Sequence, residues 1–181
     1  PLRLNDVTRT YFERMALIED GQVAADMQAL AGADGDAVDP GAVARLSTSP
    51  YYNALMRTTC VATRLEAGHA DNALPQTARA VVNCRLLPDE DPEDVRATLA
   101  QVLDDDRIIL TGGSPTPSPP SPLTSSLFET IDRITDDMWP GVPVVPTMST
   151  GSTDGLSLRR AGIPVYGVSG LFGDVDDNRA H

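Results

Sequence analysis

The loop Ser149-Thr150-Gly151-Ser152-Thr153-Asp154 follows a predicted strand and opens a predicted helix. Such a loop presents unpaired backbone N–H groups and the positive end of a helix dipole, a natural seat for a carboxylate or phosphate. Gly151, Ser152 and Thr153 are small enough to let a ligand approach the backbone. A plainer reading has Thr153 or Asp154 simply capping the helix. Arg85 shares a strand face with Arg79, Val81 and Asn83, a face that could equally be solvated. Asn72 precedes Ala73-Leu74-Pro75 in a polar break, where a turn asparagine is ordinary. His69 lies in the same break without a role, and His181 closes the chain. Cys60 and Cys84 neither space like a zinc pair nor make a disulfide scaffold. They read as small buried apolar residues on strands.

The elements that position these residues follow from pattern. Leu4, Val7, Tyr11, Met15 and Ile18 recur at helical spacing behind an Asn5 cap, and Asp20-Gly21 ends that helix. Residues 21–50 are rich in Ala, Asp and Gly and suggest short helical stretches, with a further turn opening at Pro50. Thr59–Glu66 alternates as a strand with an apolar face at Cys60, Ala62 and Leu65, and a longer strand is expected from about Ala78 to Leu87. Asp91-Pro92-Glu93-Asp94 announces a helix whose apolar face is Val95, Leu99 and Val102. Arg107–Thr111 reads as a closing strand. Helix, strand, strand, helix, strand describes an α+β layer of the ferredoxin-like sort.

Five prolines between Gly112 and Pro122 mark an extended connector, so residues 1–113 and 114–181 are expected as two units. Beyond it, a helix bearing Leu127, Ile131, Ile134 and Met138 precedes strands at Val142–Thr147 and Pro164–Val168 with a short helix between them. That alternation indicates α/β structure with a mostly parallel sheet. Two such units cannot close a sheet alone, and both chain ends look cut, so a piece of a longer enzyme is expected.

The 181 residues carry 14 basic and 26 acidic side chains, a formal net charge of −12, and 41% hydrophobic residues. This is globular composition. A body so acidic repels phosphate backbones and anionic lipid, which makes nucleic acid and membrane poor partners. No apolar run approaches the roughly 18–20 residues that span a bilayer. The chain is expected to be soluble, cytoplasmic or periplasmic.

The stretches Gly68-His69-Ala70-Asp71-Asn72-Ala73-Leu74-Pro75 and Ala78–Pro88 together resemble the lid-domain signature of the di-zinc exopeptidases. These include glutamate carboxypeptidases, aminoacylases, β-alanyl dipeptidases and succinyl-diaminopimelate desuccinylase. Gly151–Pro164 resembles the family's Gly-x-Thr-Asp…Leu-Arg…Gly-Ile-Pro stretch, and Asp176–His181 resembles the approach to its last metal-binding histidine. The resemblance implies an α+β ferredoxin-like lid followed by part of an α/β zinc-exopeptidase catalytic domain. It implies that Asn72 contacts substrate and that Arg85, thirteen residues on, clamps the substrate carboxylate. Gly151, Ser152 and Thr153 would border the substrate, and His181 would bind zinc. Asn83 stands where the family usually has Asp. Leu156 occupies a position often Arg in the desuccinylase branch, which argues against that activity.

The resemblance places the first His-x-Asp motif, the bridging Asp, the Glu-Glu pair and the lid histidine before Pro1. The whole enzyme would then use two zinc ions to hydrolyse small peptides or N-acyl amino acids and would form a homodimer through the lid. The chain alone would bind no zinc and be inactive, with Arg85 projecting beside the Asn72 turn. The rival reading is a non-enzymatic ferredoxin-like module for oligomerisation or small-acid binding.

Overall fold

The computed structural model describes residues 2–33, 38–88, 90–112 and 117–168. Helix α1 (Asp6–Met15) begins at the expected cap, where the Asn5 side chain accepts a hydrogen bond from the Thr8 N–H at 2.9 Å. Three more helices follow, α2 (Gly21–Ala31), α3 (Pro40–Leu46) and α4 (Pro50–Met56). Both α3 and α4 start with a proline behind a side-chain cap, Asp39 and Ser49 respectively. Gly21 turns the chain into α2 at a φ of +62°, a conformation that L side chains rarely adopt.

The core lies among these four helices. Phe12, Met27, Leu30, Leu55 and Met56 are fully buried, and Tyr11, Met15, Ala42 and Leu46 close around them. Tyr11 and Met15 confirm the phase of the α1 stripe, while Ile18 lies past the helix end and is exposed. The unpromising stretch 21–50 supplies four of these core residues. It also holds a buried charge: Arg45 donates two hydrogen bonds to Asp26 at 2.8 and 2.6 Å, and Gln22 adds a third at 2.9 Å. The Arg45 hydrogen bonds hold the Asp26 carboxyl below the usual carboxylate range. Burial, helped by the neighbouring Tyr51 and Tyr52, pushes the Tyr11 phenol far above its ordinary value, so it stays neutral.

Strands β1 (Thr59–Ala67) and β2 (Ala78–Arg85) pair antiparallel, from Thr59 opposite Arg85 to Ala67 opposite Ala78. An irregularity between Ala62 and Arg64 leaves Thr63 without a partner in the register. The slip explains the odd spacing of the expected apolar face. Cys60, Ala62 and Leu65 do share one face, opposite Cys84, Val82 and Ala80. That face is not buried, and Leu65 is 76% exposed. The cysteines correct the sequence reading. Cys60 and Cys84 are direct cross-strand partners with Cα atoms 4.1 Å apart, and they form a disulfide. Twenty-four residues of separation concealed a contact that the hairpin creates.

Helix α5 (Pro92–Leu103) starts behind the Asp91 cap as expected, but of its apolar face only Val95 is buried. The expected strand at Arg107–Thr111 is absent because its backbone groups are used otherwise. The Ile108 N–H closes a turn on the Asp105 carbonyl, and the Arg96 guanidinium takes the Leu110 carbonyl at 2.6 Å. Val142–Thr147 is also not a strand. Pro143 and Pro146 lack the N–H groups a ladder needs, and the Val144 carbonyl accepts from Arg14. Pro164–Val168 fails similarly, since the Val165 N–H and carbonyl both bond the Ser121 hydroxyl at 2.9 and 2.7 Å. The end of the proline-rich stretch is therefore docked to residues 159–166 and is not a free connector. The unit boundary expected at 113–114 lies outside the described residues.

Helix α6 (Ser126–Met138) buries Phe128, not the expected face, on which Leu127, Ile134 and Met138 are exposed. Arg14 ties this part to α1. It pairs with both carboxylate oxygens of Asp132 at 3.0 and 3.2 Å, lies over the Phe128 ring and reaches the Val144 carbonyl. Val145 and Met148 pack against the helical core. Helix α7 (Gly155–Arg160) is the last described helix. Among the described residues, helices with one two-stranded antiparallel sheet make the class α+β. Among the described residues no helix is long and apolar enough to cross a membrane.

Phe12→Ala should destabilise the chain by about 3–5 kcal/mol, as removing a fully buried aromatic does, measured by urea unfolding. The Asp26 pair gives a pH dependence of definite sign. The unfolded chain takes up this proton first as pH falls, so the pair's contribution is complete at neutral pH and is lost below about pH 4. In the same unfolding assay, the gap between wild type and Asp26→Asn should narrow as acid is added.

Candidate functional site

Arg85 ends β2 and is exposed. Its partner Thr59 follows directly on the segment leaving α4, so the ribbon's base lies beside the helical layer. From there the Arg85 Nη1 donates to the Thr150 carbonyl oxygen at 2.8 Å, across 65 residues of sequence. The contact joins the two stretches that could hold an anion. Arg85 uses one guanidinium nitrogen on Thr150, and a guanidinium offers five donors in all.

The loop reaches this position through the packing of Val145 and Met148 on the core just before it. A hydrogen bond between Tyr51 and Thr147 at 2.9 Å adds a further tie to α4. Gly151, Ser152 and Thr153 are exposed, and the Gly151 N–H donates to the Ser149 hydroxyl at 3.3 Å. Asp154 stands at the N-cap of α7, but its side chain makes no capping hydrogen bond. Gly155 is buried, and a Cβ there would sit 3.0 Å from Val165 and 2.8 Å from the Arg159 guanidinium. A side chain there would have to displace the Arg159 guanidinium and press on Val165.

Asn72 does not join the group. It lies in the turn between the strands, where the Ala73 N–H bonds the Ala70 carbonyl at 3.3 Å, and it is exposed. Eight residues of β2 separate this turn from Arg85, about 23 Å at the rise of an extended strand. The expectation that Arg85 projects beside the Asn72 turn is thereby corrected: strand pairing sends one to the tip and the other to the base. His181 and the Asp176–His181 motif lie outside the described residues. Among the described residues no group of three or more His, Cys, Asp or Glu could hold a metal ion. Thr58 and Glu90, which hold the chain two residues after Arg85, carry no local sequence signal. Glu90 was concealed in the acidic run that starts α5.

Against known families, the model for the M20 peptidase dimerisation domain matches residues 12–108, more than half of the chain. The chain belongs to this family. It is 34% identical over 111 residues to a probable carboxypeptidase S-like 2 of Dictyostelium discoideum, covering 60% of this chain and 21% of that protein. It is 37% identical over 111 residues to an N-fatty-acyl-amino acid synthase/hydrolase of Xenopus tropicalis, covering 60% and 22%. The chain thus spans about a fifth of the length of these curated relatives. Its fold resembles the crystal structure of an M20 family metallo-carboxypeptidase from Sulfolobus solfataricus, with a TM-score of 0.50 at 20% identity. That likeness covers 90% of this chain and 41% of the other.

The disulfide decides how well the ribbon presents Arg85, because an isolated two-stranded hairpin is marginal in water. Replacing Cys60 and Cys84 by Ala should lower the opening free energy of the ribbon by about 3 kcal/mol for a closed loop of this length. Amide hydrogen exchange at Val61 and Asn83, which face each other in the ladder, measures it.

Proposed function

We propose that the chain is part of a metal-dependent M20 hydrolase that cleaves amide bonds of small peptides or N-acyl amino acids. In it, residues 1–113 serve as lid and dimerisation unit and residues 114–181 as the C-terminal part of the catalytic domain. The observation that carries the reading is the Arg85–Thr150 contact, which sets a guanidinium against the exposed loop Gly151–Thr153. Arg85 binds a substrate carboxylate through paired charge-assisted hydrogen bonds, and the loop borders the rest of the substrate. Holding the carboxylate fixes where the scissile amide lies, which lowers the entropic part of the barrier.

Among the described residues no side-chain cluster makes a metal site. His181 is the residue we assign to zinc, on the motif resemblance. In the whole enzyme a pair of zinc ions would supply the activated water. The non-enzymatic module loses ground because the relatives matched over this region include named hydrolases and carboxypeptidases.

The distance from Asn72 to Arg85 bears on assembly. One protomer's Asn72 cannot share a ligand with its own Arg85, but the exposed ribbon can carry it to a second copy. We therefore read the enzyme as a homodimer in which Asn72 serves the partner's site.

In the full-length enzyme, Arg85→Ala should lower kcat/KM by about 2–4 kcal/mol, roughly 30- to 700-fold, for substrates bearing a free carboxylate. Matching amides of those substrates should lose far less, and an equal loss on both would remove Arg85 from carboxylate binding. For the exchange across the dimer, mixing impaired Arg85→Ala with impaired Asn72→Ala subunits should raise activity above that of either variant alone. No recovery in verified mixed dimers would place both residues in one protomer's site.

A further inference from the structure

The last ladder pair of the ribbon is Thr59 with Arg85, and the structure continues the join beyond it. The Thr58 hydroxyl oxygen accepts the Leu87 N–H at 3.0 Å and donates its own proton to the Glu90 carboxylate. Glu90 is only 6% exposed, unusual for a free carboxylate on so acidic a chain. Its other oxygen lies 3.5 Å from Arg3 Nε, and the Arg3 N–H is bonded to the Met56 carbonyl at the end of α4. A buried carboxylate is costly unless its lone pairs are used, and here both oxygens have partners.

The chemistry of the three groups gives the arrangement a direction. A hydroxyl can rotate, and Thr58 alone could point its proton anywhere. An ionised carboxylate only accepts, so Glu90 draws the Thr58 proton toward itself and leaves a lone pair for the Leu87 N–H. The chain is thereby anchored two residues after Arg85. One residue before it, Cys84 is bonded to Cys60. Arg85 thus sits between a covalent anchor and a charge-assisted one, on an otherwise exposed ribbon.

We propose that Thr58 and Glu90 are positioning residues for Arg85, holding the base of β2 so that the guanidinium reaches the Thr150 loop. Their purpose rests on the reading of Arg85 as a carboxylate clamp. Such a clamp needs its guanidinium placed to within a fraction of an ångström, because a misplacement of about 1 Å can cost 100-fold. Arg3 and the α4 end connect this anchor to the helical core, so the core sets the position of Arg85 through Glu90.

The test is nitrogen-15 NMR on the 181-residue chain, following solvent exchange of the Arg85 guanidinium protons. Thr58→Val and Glu90→Val should speed that exchange about 10-fold or more, Thr58→Ser, which keeps the hydroxyl, should hold it near wild type, and Glu90→Gln, which keeps an acceptor but loses the charge, should fall between them. The methyl shifts of Met27 and Leu30 and the Cys60–Cys84 cross-strand contacts report whether each variant remains folded. If Thr58→Val or Glu90→Val unfolds the chain, Glu90→Gln against Thr58→Ser carries the test, and fast exchange in folded Thr58→Ser, or exchange equal in the two folded variants, overturns the proposal. Exchange unchanged in folded Thr58→Val, or equal in Thr58→Val and Thr58→Ser, also overturns it. Titration with N-acetyl-L-alanine separates the two readings. A shift of the Arg85 signals that weakens in Thr58→Val supports both. A restrained guanidinium that ignores N-acetyl-L-alanine overturns the carboxylate reading while supporting the anchor.

Discussion

Antiparallel pairing of β1 with β2 is the constraint on which the candidate site depends. Once Thr59 faces Arg85 and Ala67 faces Ala78, the two ends of the ribbon have different fates. The base must stay with the helices, because Thr59 follows α4 closely, and the tip must project away. The unpaired residue at Thr63 then decides which side chains share a face. Without that slip Leu65 would stand on the face of Arg85 and Asn83. With it, Leu65 joins Ala62, Val82 and the disulfide on one side, and Arg85 shares the other with Asn83, Arg79, Arg64 and Glu66 as well as Val61 and Val81.

The helical layer supplies the stability that the ribbon lacks. Burial of Phe12, Met27, Leu30, Leu55 and Met56 is the favourable term. The ribbon, exposed along most of both strands, contributes little burial of its own. What it has is covalent and polar: the Cys60–Cys84 bond, the Thr58–Glu90 anchor and the Arg85–Thr150 contact. The same helices deliver the other half of the site. Val145 and Met148 dock on the core and Arg14 fastens α6, so the loop at 149–154 is carried to Arg85 by apolar packing at some distance from it.

Several apolar faces stay open in this chain. Leu65 on β1, Val102 on α5 and Met138 on α6 are each more than half exposed. Open apolar faces favour association. They accord with a dimerisation-domain family and with a chain that spans about a fifth of its curated relatives.

Sequence alone determined the local elements. Cap residues, first-turn prolines and helical or alternating spacing located α1, α5, α6, α7 and both strands, because those signals act within a few residues. It also singled out Arg85 and the Gly151–Thr153 loop, through motif resemblance. It overstated strands at 107–111, 142–147 and 164–168, where β-type composition was overruled by prolines and by side chains that took the backbone groups. The register belonged to tertiary structure. No local pattern announces that Thr63 is unpaired, that Cys60 meets Cys84, or that Asn72 and Arg85 lie at opposite ends of one ribbon. The meeting of Arg85 with Thr150 and the burial of Glu90 depend on the same long-range packing. Partners 65 and 32 residues apart are chosen by how helices and strands pack, and that choice is made only when the whole chain folds.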